Sequence, residues 1–317
     1  MSRPLATLER VESALPDRTV VVEATAQRLG LSRAKLSLFR KVHGLHTLRL
    51  DPALPLTDLV LSAARPVVSE LADPRRVRYV IHARAIHQVA PAAVDVAREI
   101  RDALGLGHAE ALALTQQNCA TGIGALEVAG ALLRGGDPGD RALVVTGEKP
   151  FSPLVQLVPN TAIMGEAATA CLVAADGVGD PVLSHVSRTL GEYADLISLP
   201  PEAVAQLGKD YAATFAGVIR RAAAEAGLEL SDIDLVIPHN VNLMSWRQTI
   251  AELGIPAERV FLDNIARYSH CFTSDVFVNY TTLRDAGRLT EGRHYLMAGF
   301  GAGATFAAAV FTHRRPR

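Results

Sequence analysis

Leu133-Arg134-Gly135-Gly136-Asp137-Pro138-Gly139-Asp140-Arg141-Ala142-Leu143-Val144-Val145-Thr146-Gly147 recurs in outline as Leu283-Arg284-Asp285-Ala286-Gly287-Arg288-Leu289-Thr290-Glu291-Gly292-Arg293-His294-Tyr295-Leu296-Met297-Ala298-Gly299. Both copies read helix end, glycine-rich turn, arginine, apolar strand, glycine, and a strand rich in alanine follows each. A pattern carried twice predicts two similar halves about a pseudo-twofold axis. The boundary falls at the turn residues Asp176-Gly177-Val178-Gly179-Asp180-Pro181, giving residues 1–177 and 178–317. Counting back by one interval from Leu133 and from Leu283 reaches Cys119 and Ser269, the neighbour of His270. The symmetry therefore predicts Cys119 and His270 at the starts of equivalent helices facing each other across the centre.

The rest of the chain alternates short apolar runs with amphipathic ones. Residues 18–22, 47–50, 77–81, 111–114, 141–146, 168–174, 182–186 and 235–237 read as strands. Residues 57–71, 91–104, 201–226 and 243–253 read as helices, the second started by Pro91 and ended by Gly105. Such alternation predicts an α/β fold with buried sheet. Residues 295–312 carry no charge and approach the length of a membrane helix, but Gly299, Gly301 and Gly303 divide them into two buried strands joined by a glycine turn.

Cys119 lies in Gln116-Gln117-Asn118-Cys119-Ala120-Thr121-Gly122-Ile123-Gly124, between a predicted strand and an amphipathic run. A thiol on the first turn of a helix meets unpaired amides and a partial positive charge, which favour thiolate, the nucleophilic form. His239 follows a strand in Pro238-His239-Asn240-Val241-Asn242, and His270 lies in Tyr268-Ser269-His270-Cys271-Phe272-Thr273-Ser274-Asp275.

With Gly165-Glu166-Ala167-Ala168-Thr169-Ala170 and Gly299-Phe300-Gly301-Ala302-Gly303, these stretches resemble the β-ketoacyl-acyl carrier protein synthase III family from about residue 77 onward. The resemblance implies a five-layered thiolase fold of two βαβαβ-type halves, a homodimer, and a cysteine acylated by a thioester of coenzyme A or a carrier protein. It assigns Cys119 as nucleophile, His239 and Asn242 to the His-x-x-Asn motif that polarises the thioester or positions the pantetheine, and Gly301-Ala302-Gly303 to the substrate-binding loop that donates an N–H to the thioester oxygen.

Two departures from the family pattern matter. Its second catalytic asparagine falls on His270, with Asp275 five residues on. A carboxylate there can fix the imidazole tautomer and leave the other nitrogen as general base, the logic of acyl transfer to oxygen or nitrogen. Read alone, Asp275 is equally a helix-start carboxylate favoured by the dipole. The tryptophan and arginine that grip the nucleotide fall on Leu38 and Val42, and a further arginine on Met244, which tilts the donor toward a carrier-bound pantetheine arm.

Composition narrows the rest. The 317 residues hold 32 Lys and Arg against 33 Asp and Glu, a net charge of −1 that gives nucleic-acid binding no electrostatic support. Three cysteines without a CxxC pair argue against both a disulfide framework and a zinc site, and no cofactor motif is present. The N-terminus lacks an apolar signal core, so a cytosolic protein is expected. His82 and His87 read as polar residues near a loop, Trp246 as core or interface, and the basic residues 313–317 as a solvated tail. The expectation is a cytosolic acyltransferase that loads Cys119 and passes the acyl group to a small hydroxyl or amine acceptor in a specialised-metabolite pathway. The rivals are a decarboxylating condensing enzyme using Cys119, His239 and His270, and a silent partner subunit.

Overall fold

Strands that are apolar along both faces need cover on both faces, and the chain supplies it with helices between most consecutive strands. The computed structural model describes residues 3–195 and 199–314, which leaves residues 315–317 of the basic tail outside the described residues. The sheet strands are β1 (Ala6–Ala14), β2 (Val77–Ala83), β3 (Glu110–Leu114), β4 (Arg141–Gly147), β5 (Ala168–Ala174), β6 (Asp180–Thr189), β7 (Ile233–Pro238), β8 (His294–Gly301) and β9 (Thr305–Thr312). They hydrogen-bond in the order β7-β8-β9-β6-β1-β5-β4-β2-β3.

That order is one motif used twice. The first five strands lie third-second-fourth-fifth-first, with the second parallel to third and fourth and the rest antiparallel. Among the described residues the last four repeat it as β7-β8-β9-β6, without the third strand. An isolated parallel bridge between Val236 and Val260 occupies that edge. The two sets join through a short antiparallel pairing of Ala6–Leu8 with Asp180–Val182.

The helices follow the same duplication. α1 (Leu56–Ser69) and α2 (Val96–Ala103) cover the outer face of the first set, and α4 (Pro201–Glu225) with α5 (Leu243–Leu253) that of the second. Between the two sets run α3 (Thr121–Leu133) and α6 (Asp275–Asp285). One buried cluster unites Ile123 and Leu126 of α3 with Val276 and Phe277 of α6 and side chains from strands of both sets. Two further clusters fill the outer interfaces.

Strand β1 is the element that sequence reading misses. Glu9, Arg10 and Glu12 break its apolar pattern, but Ala6, Leu8 and Val11 are buried at the seam. The helix expected from Pro91 begins at Val96, where the Asp95 side chain caps the Arg98 N–H at 3.1 Å. Among the described residues no helix is long and apolar enough to cross a membrane, and 295–312 forms the pair β8 and β9.

Helix α3 reaches the seam because it carries Gly130. A methyl group there would stand 2.0 Å from the Leu5 carbonyl oxygen, and Leu5 is itself tied to Val182. Gly130→Ala is therefore expected to destabilise the fold by about 1–3 kcal/mol despite its better helix propensity, read as a lower urea midpoint at unchanged slope.

Candidate active site

Cys119 sits on a 3-10 turn, Asn118–Ala120, that feeds α3. The chain enters through Gln116 and Asn118, both at positive φ (23° and 51°). The half-buried thiol has Asn118 Oδ1 at 3.1 Å, and the same oxygen accepts the Cys119 backbone N–H at 2.8 Å. The expectation of a depressed thiol is corrected here. Burial pushes the Cys119 thiol up, the His270 imidazole beside it pulls the other way, and the Glu148 and Asp275 carboxylates add to the rise. Loss of hydration disfavours the thiolate, so deprotonation needs a base close by.

His270 is that neighbour, and it stands just ahead of the equivalent turn in the second half. A second 3-10 turn, Phe272–Ser274, precedes α6, again entered through residues at positive φ, Ser269 and Phe272. The helix starts are equivalent, although matching the two turns sets Cys119 opposite Thr273 instead of Ser269. Asp275, buried on the first residue of α6, accepts from His270 Nδ1 at 2.5 Å, from the Asn240 N–H at 2.6 Å and from the Cys271 N–H at 2.7 Å. Nδ1 is thereby engaged, and Nε2 is the ring nitrogen left for another partner. Burial alone would lower the imidazole. The Asp275 carboxylate overcomes it, with Cys119 adding, and His270 holds its proton well above the ordinary histidine range.

His239, at the end of β7, is the opposite case. It is buried, its ring lies 5.8 Å from that of His270 between centroids, and Phe215 and Trp246 pack at 5.8 and 5.5 Å. Among the described residues neither ring nitrogen has a hydrogen-bond partner. Burial first, and His270 second, hold it well below the usual range, so it is neutral. Trp246 is core, and its indole N–H donates to the His239 carbonyl at 2.8 Å.

Asn242 stands three residues beyond His239 but has both ends of its amide occupied: Oδ1 caps the Ser245 N–H at 2.8 Å and Nδ2 donates to the Thr161 carbonyl at 3.0 Å. Gly301 closes β8 directly against the nucleophile turn, where a Cβ would fall 1.8 Å from the Gln117 carbonyl oxygen. Ala302 and Gly303 complete the bend, with φ of 99° at Gly303. The glycine loop and Cys119 are thus adjacent, as are His239, His270 and Asp275.

Several polar residues of the site carry no sequence signal. Buried Glu148 follows β4 and accepts the Ala85 and Ile86 N–H groups at 2.7 Å each and the Thr273 hydroxyl at 3.0 Å. Burial raises its carboxyl. Asn279 donates to the Pro238 carbonyl at 2.7 Å and to Asn240 at 2.8 Å, fixing the turn that presents His239. His82, expected near a loop, is wholly buried inside β2, facing the Gly147 carbonyl at 3.2 Å, and burial lowers it to about 4. Leu38 and Val42 lie on a π-helical turn, and Arg33, Arg40, Lys41 and His46 beside them line a surface cavity of about 700 Å³. Cationic groups missing at the aligned positions are therefore present on neighbouring ones, although Arg40 is paired with Glu23. Among the described residues no cluster could hold a metal ion.

The raised His270 makes a pH prediction. Its contribution to stability is complete below its unfolded value and is lost as pH rises through its folded value. Imidazole resonances followed by NMR should show a midpoint above 6.5 for His270. Asp275→Asn should lower it; an unchanged midpoint would mean that the carboxylate is not its source.

Residues 223–313 match the family described as 3-oxoacyl-(acyl-carrier-protein) synthase III C terminal. The β-ketoacyl-(acyl-carrier-protein) synthase III 2 of Streptomyces coelicolor is 30% identical over 224 residues, covering 68% of this chain and 67% of the relative. ChlB3, described as an acyltransferase, superposes with a TM-score of 0.86 at 24% identity over 98% of both chains. The 3-oxoacyl-(acyl carrier protein) synthase III of Pseudomonas aeruginosa PAO1 does so at 0.81 and 21%, over 98% of this chain and 99% of its own. The fold is that of the thiolases, and the chain belongs to the β-ketoacyl-acyl carrier protein synthase III family.

Proposed function

We propose that the protein takes an acyl group from a carrier-protein or coenzyme A thioester onto Cys119 and transfers it to a hydroxyl or amine acceptor in specialised-metabolite biosynthesis. The observation that carries this reading is the Asp275 carboxylate seated on His270 Nδ1. It makes Nε2 a basic acceptor beside the thiol. In the loading step, which needs His270 in its neutral form, the Cys119 proton passes to Nε2 and the sulfur attacks the thioester carbonyl. The pantetheine thiolate leaves and takes the proton from the imidazolium. In transfer, the acceptor's oxygen or nitrogen attacks the acyl-cysteine while Nε2 takes its proton, and the Cys119 sulfur departs and recovers that proton. Backbone N–H groups of Gly301-Ala302-Gly303 and neutral His239 are the donors proposed for the developing oxyanion, and Asn242 holds the turn that presents His239.

A second reading rests on His239. Two adjacent imidazoles, one with both nitrogens unpartnered, suit the enolate of a decarboxylative condensation. The fold is neutral between the readings, because ChlB3 is described as an acyltransferase and the Pseudomonas protein as a synthase. A homodimer is proposed on the free edge of β3, where Ala111, Leu112 and Leu114 are only half-buried, and on exposed Phe151 and Leu154. Light scattering at micromolar concentration should return the dimer mass.

Single-turnover measurements that follow acyl loading and acyl loss separately test the assignment. Cys119→Ala should abolish the acyl-enzyme seen by intact-protein mass spectrometry. His270→Asn should still load but lose the acyl group about 10²- to 10⁴-fold more slowly. Carbon dioxide release, with activity kept in His270→Asn, would favour condensation. The donor is settled by kcat/KM for one acyl group on each carrier: the apolar Leu38, Val42 and Met244 favour the carrier protein, whereas the Arg33 and Lys41 cavity offers charge to a nucleotide phosphate.

A further inference from the structure

The Cys119 thiol donates to Asn118 Oδ1 at 3.1 Å, while the His270 imidazole acts on it as a neighbouring charge. A backbone N–H can only donate, so the Asn118 atom 2.8 Å from the Cys119 nitrogen is the carboxamide oxygen, which fixes the orientation of the amide. The same oxygen therefore faces both donors of the nucleophile.

This arrangement is anchored on every side. Asn118 Nδ2 faces the Ala85 carbonyl at 3.4 Å, and Glu148 holds the Ala85 and Ile86 N–H groups in place. The Asn118 backbone is left-handed, a conformation asparagine tolerates better than other side chains. Gly301 closes the opposite side by lying against the Gln117 carbonyl, so the turn has no room to move toward the glycine loop.

We propose that Asn118 is a positioning residue that holds Cys119 as a resting thiol: its carboxamide oxygen occupies the S–H and N–H together, and the thiol proton passes to His270 only once this oxygen turns off the sulfur. The S–H bond then breaks, an N–H bond forms at Nε2 of a neutral His270, and the freed backbone N–H faces the thiolate. Burial, which pushes the thiol up, acts in the same direction as this contact. The inference goes beyond acyl transfer, because it concerns the free enzyme before any thioester arrives.

Alkylation by iodoacetamide reports thiolate and needs neither acyl donor nor acceptor, so its outcome is independent of where the acyl group goes. Its rate is followed against pH on the full chain, by mass spectrometry of the peptide containing Cys119, which separates it from buried Cys171 and Cys271. Asn118→Gly removes the acceptor and keeps the left-handed backbone. It should alkylate about two- to tenfold faster at pH 7, the worth of one hydrogen bond, with its midpoint moved to lower pH. Asn118→Asp keeps the shape and strengthens the acceptor, and should move the midpoint to higher pH. A midpoint in Asn118→Gly equal to or above that of the wild type overturns the proposal. Should that variant fail to fold, Asn118→Ala decides, because it removes the acceptor without adding a charge: a lower midpoint supports the role, and an unchanged or higher one overturns it.

Discussion

Three N–H groups converge on one buried carboxylate, and the active site depends on that convergence. Asp275 receives the imidazole of His270, the Cys271 amide just after it, and the Asn240 amide just after His239. A single anion thus fixes the loop before α6, the turn after β7 and the tautomer between them. A buried carboxylate is tolerable only when its lone pairs are filled, and here they are filled by the groups that must be held in register for chemistry. The helix-start dipole that first makes an acidic residue plausible at this position is therefore the smaller part of its role.

The same dehydrated volume moves neighbouring groups apart. Burial acts downward on both His239 and His270, yet only His270 has a carboxylate, so one imidazole is neutral and the other basic. Divergence between adjacent titratable groups is how a site divides donor and base roles at one pH. Cys119 is shifted against ionisation by the same dehydration, which makes the thiol depend on its histidine. A nucleophile of this kind is reactive only when the base beside it is free to accept.

Much of this was legible in the residues, for reasons that differ by element. The duplicated helix-turn-strand pattern predicts the duplicated sheet because a repeated supersecondary unit has few ways to pack against its copy. Cys119, His239, His270 and Asp275 are legible because rare reactive types fall at the ends of strands and the starts of helices. Strand β1 is not, since Glu9, Arg10 and Glu12 leave at the seam and disguise a strand whose apolar residues are buried. Glu148 and Asn279 escape because their partners, Ala85 and Pro238, are backbone groups far away in sequence, and a backbone amide leaves no mark on composition. The helix terminus at Cys119 misleads in the other direction: a dipole is visible in a motif, whereas desolvation is known only once the layers close over it.

The two halves meet the centre through turns of the same design that carry different chemistry. Asn118–Ala120 and Phe272–Ser274 are both 3-10 turns entered at positive φ, and each delivers a helix between the sheets. In the first, the left-handed residue is an asparagine whose side chain folds back onto the nucleophile; in the second it is an apolar phenylalanine, and the polar contact passes instead to Asp275. Glu148 links them, holding the loop beneath Asn118 with one oxygen and Thr273 of the second turn with the other. A displacement of either turn is therefore felt by the other through one buried side chain. Duplication supplied two equivalent helix starts; different side chains around equivalent turns gave one a thiol held by an asparagine and the other a histidine held by a carboxylate.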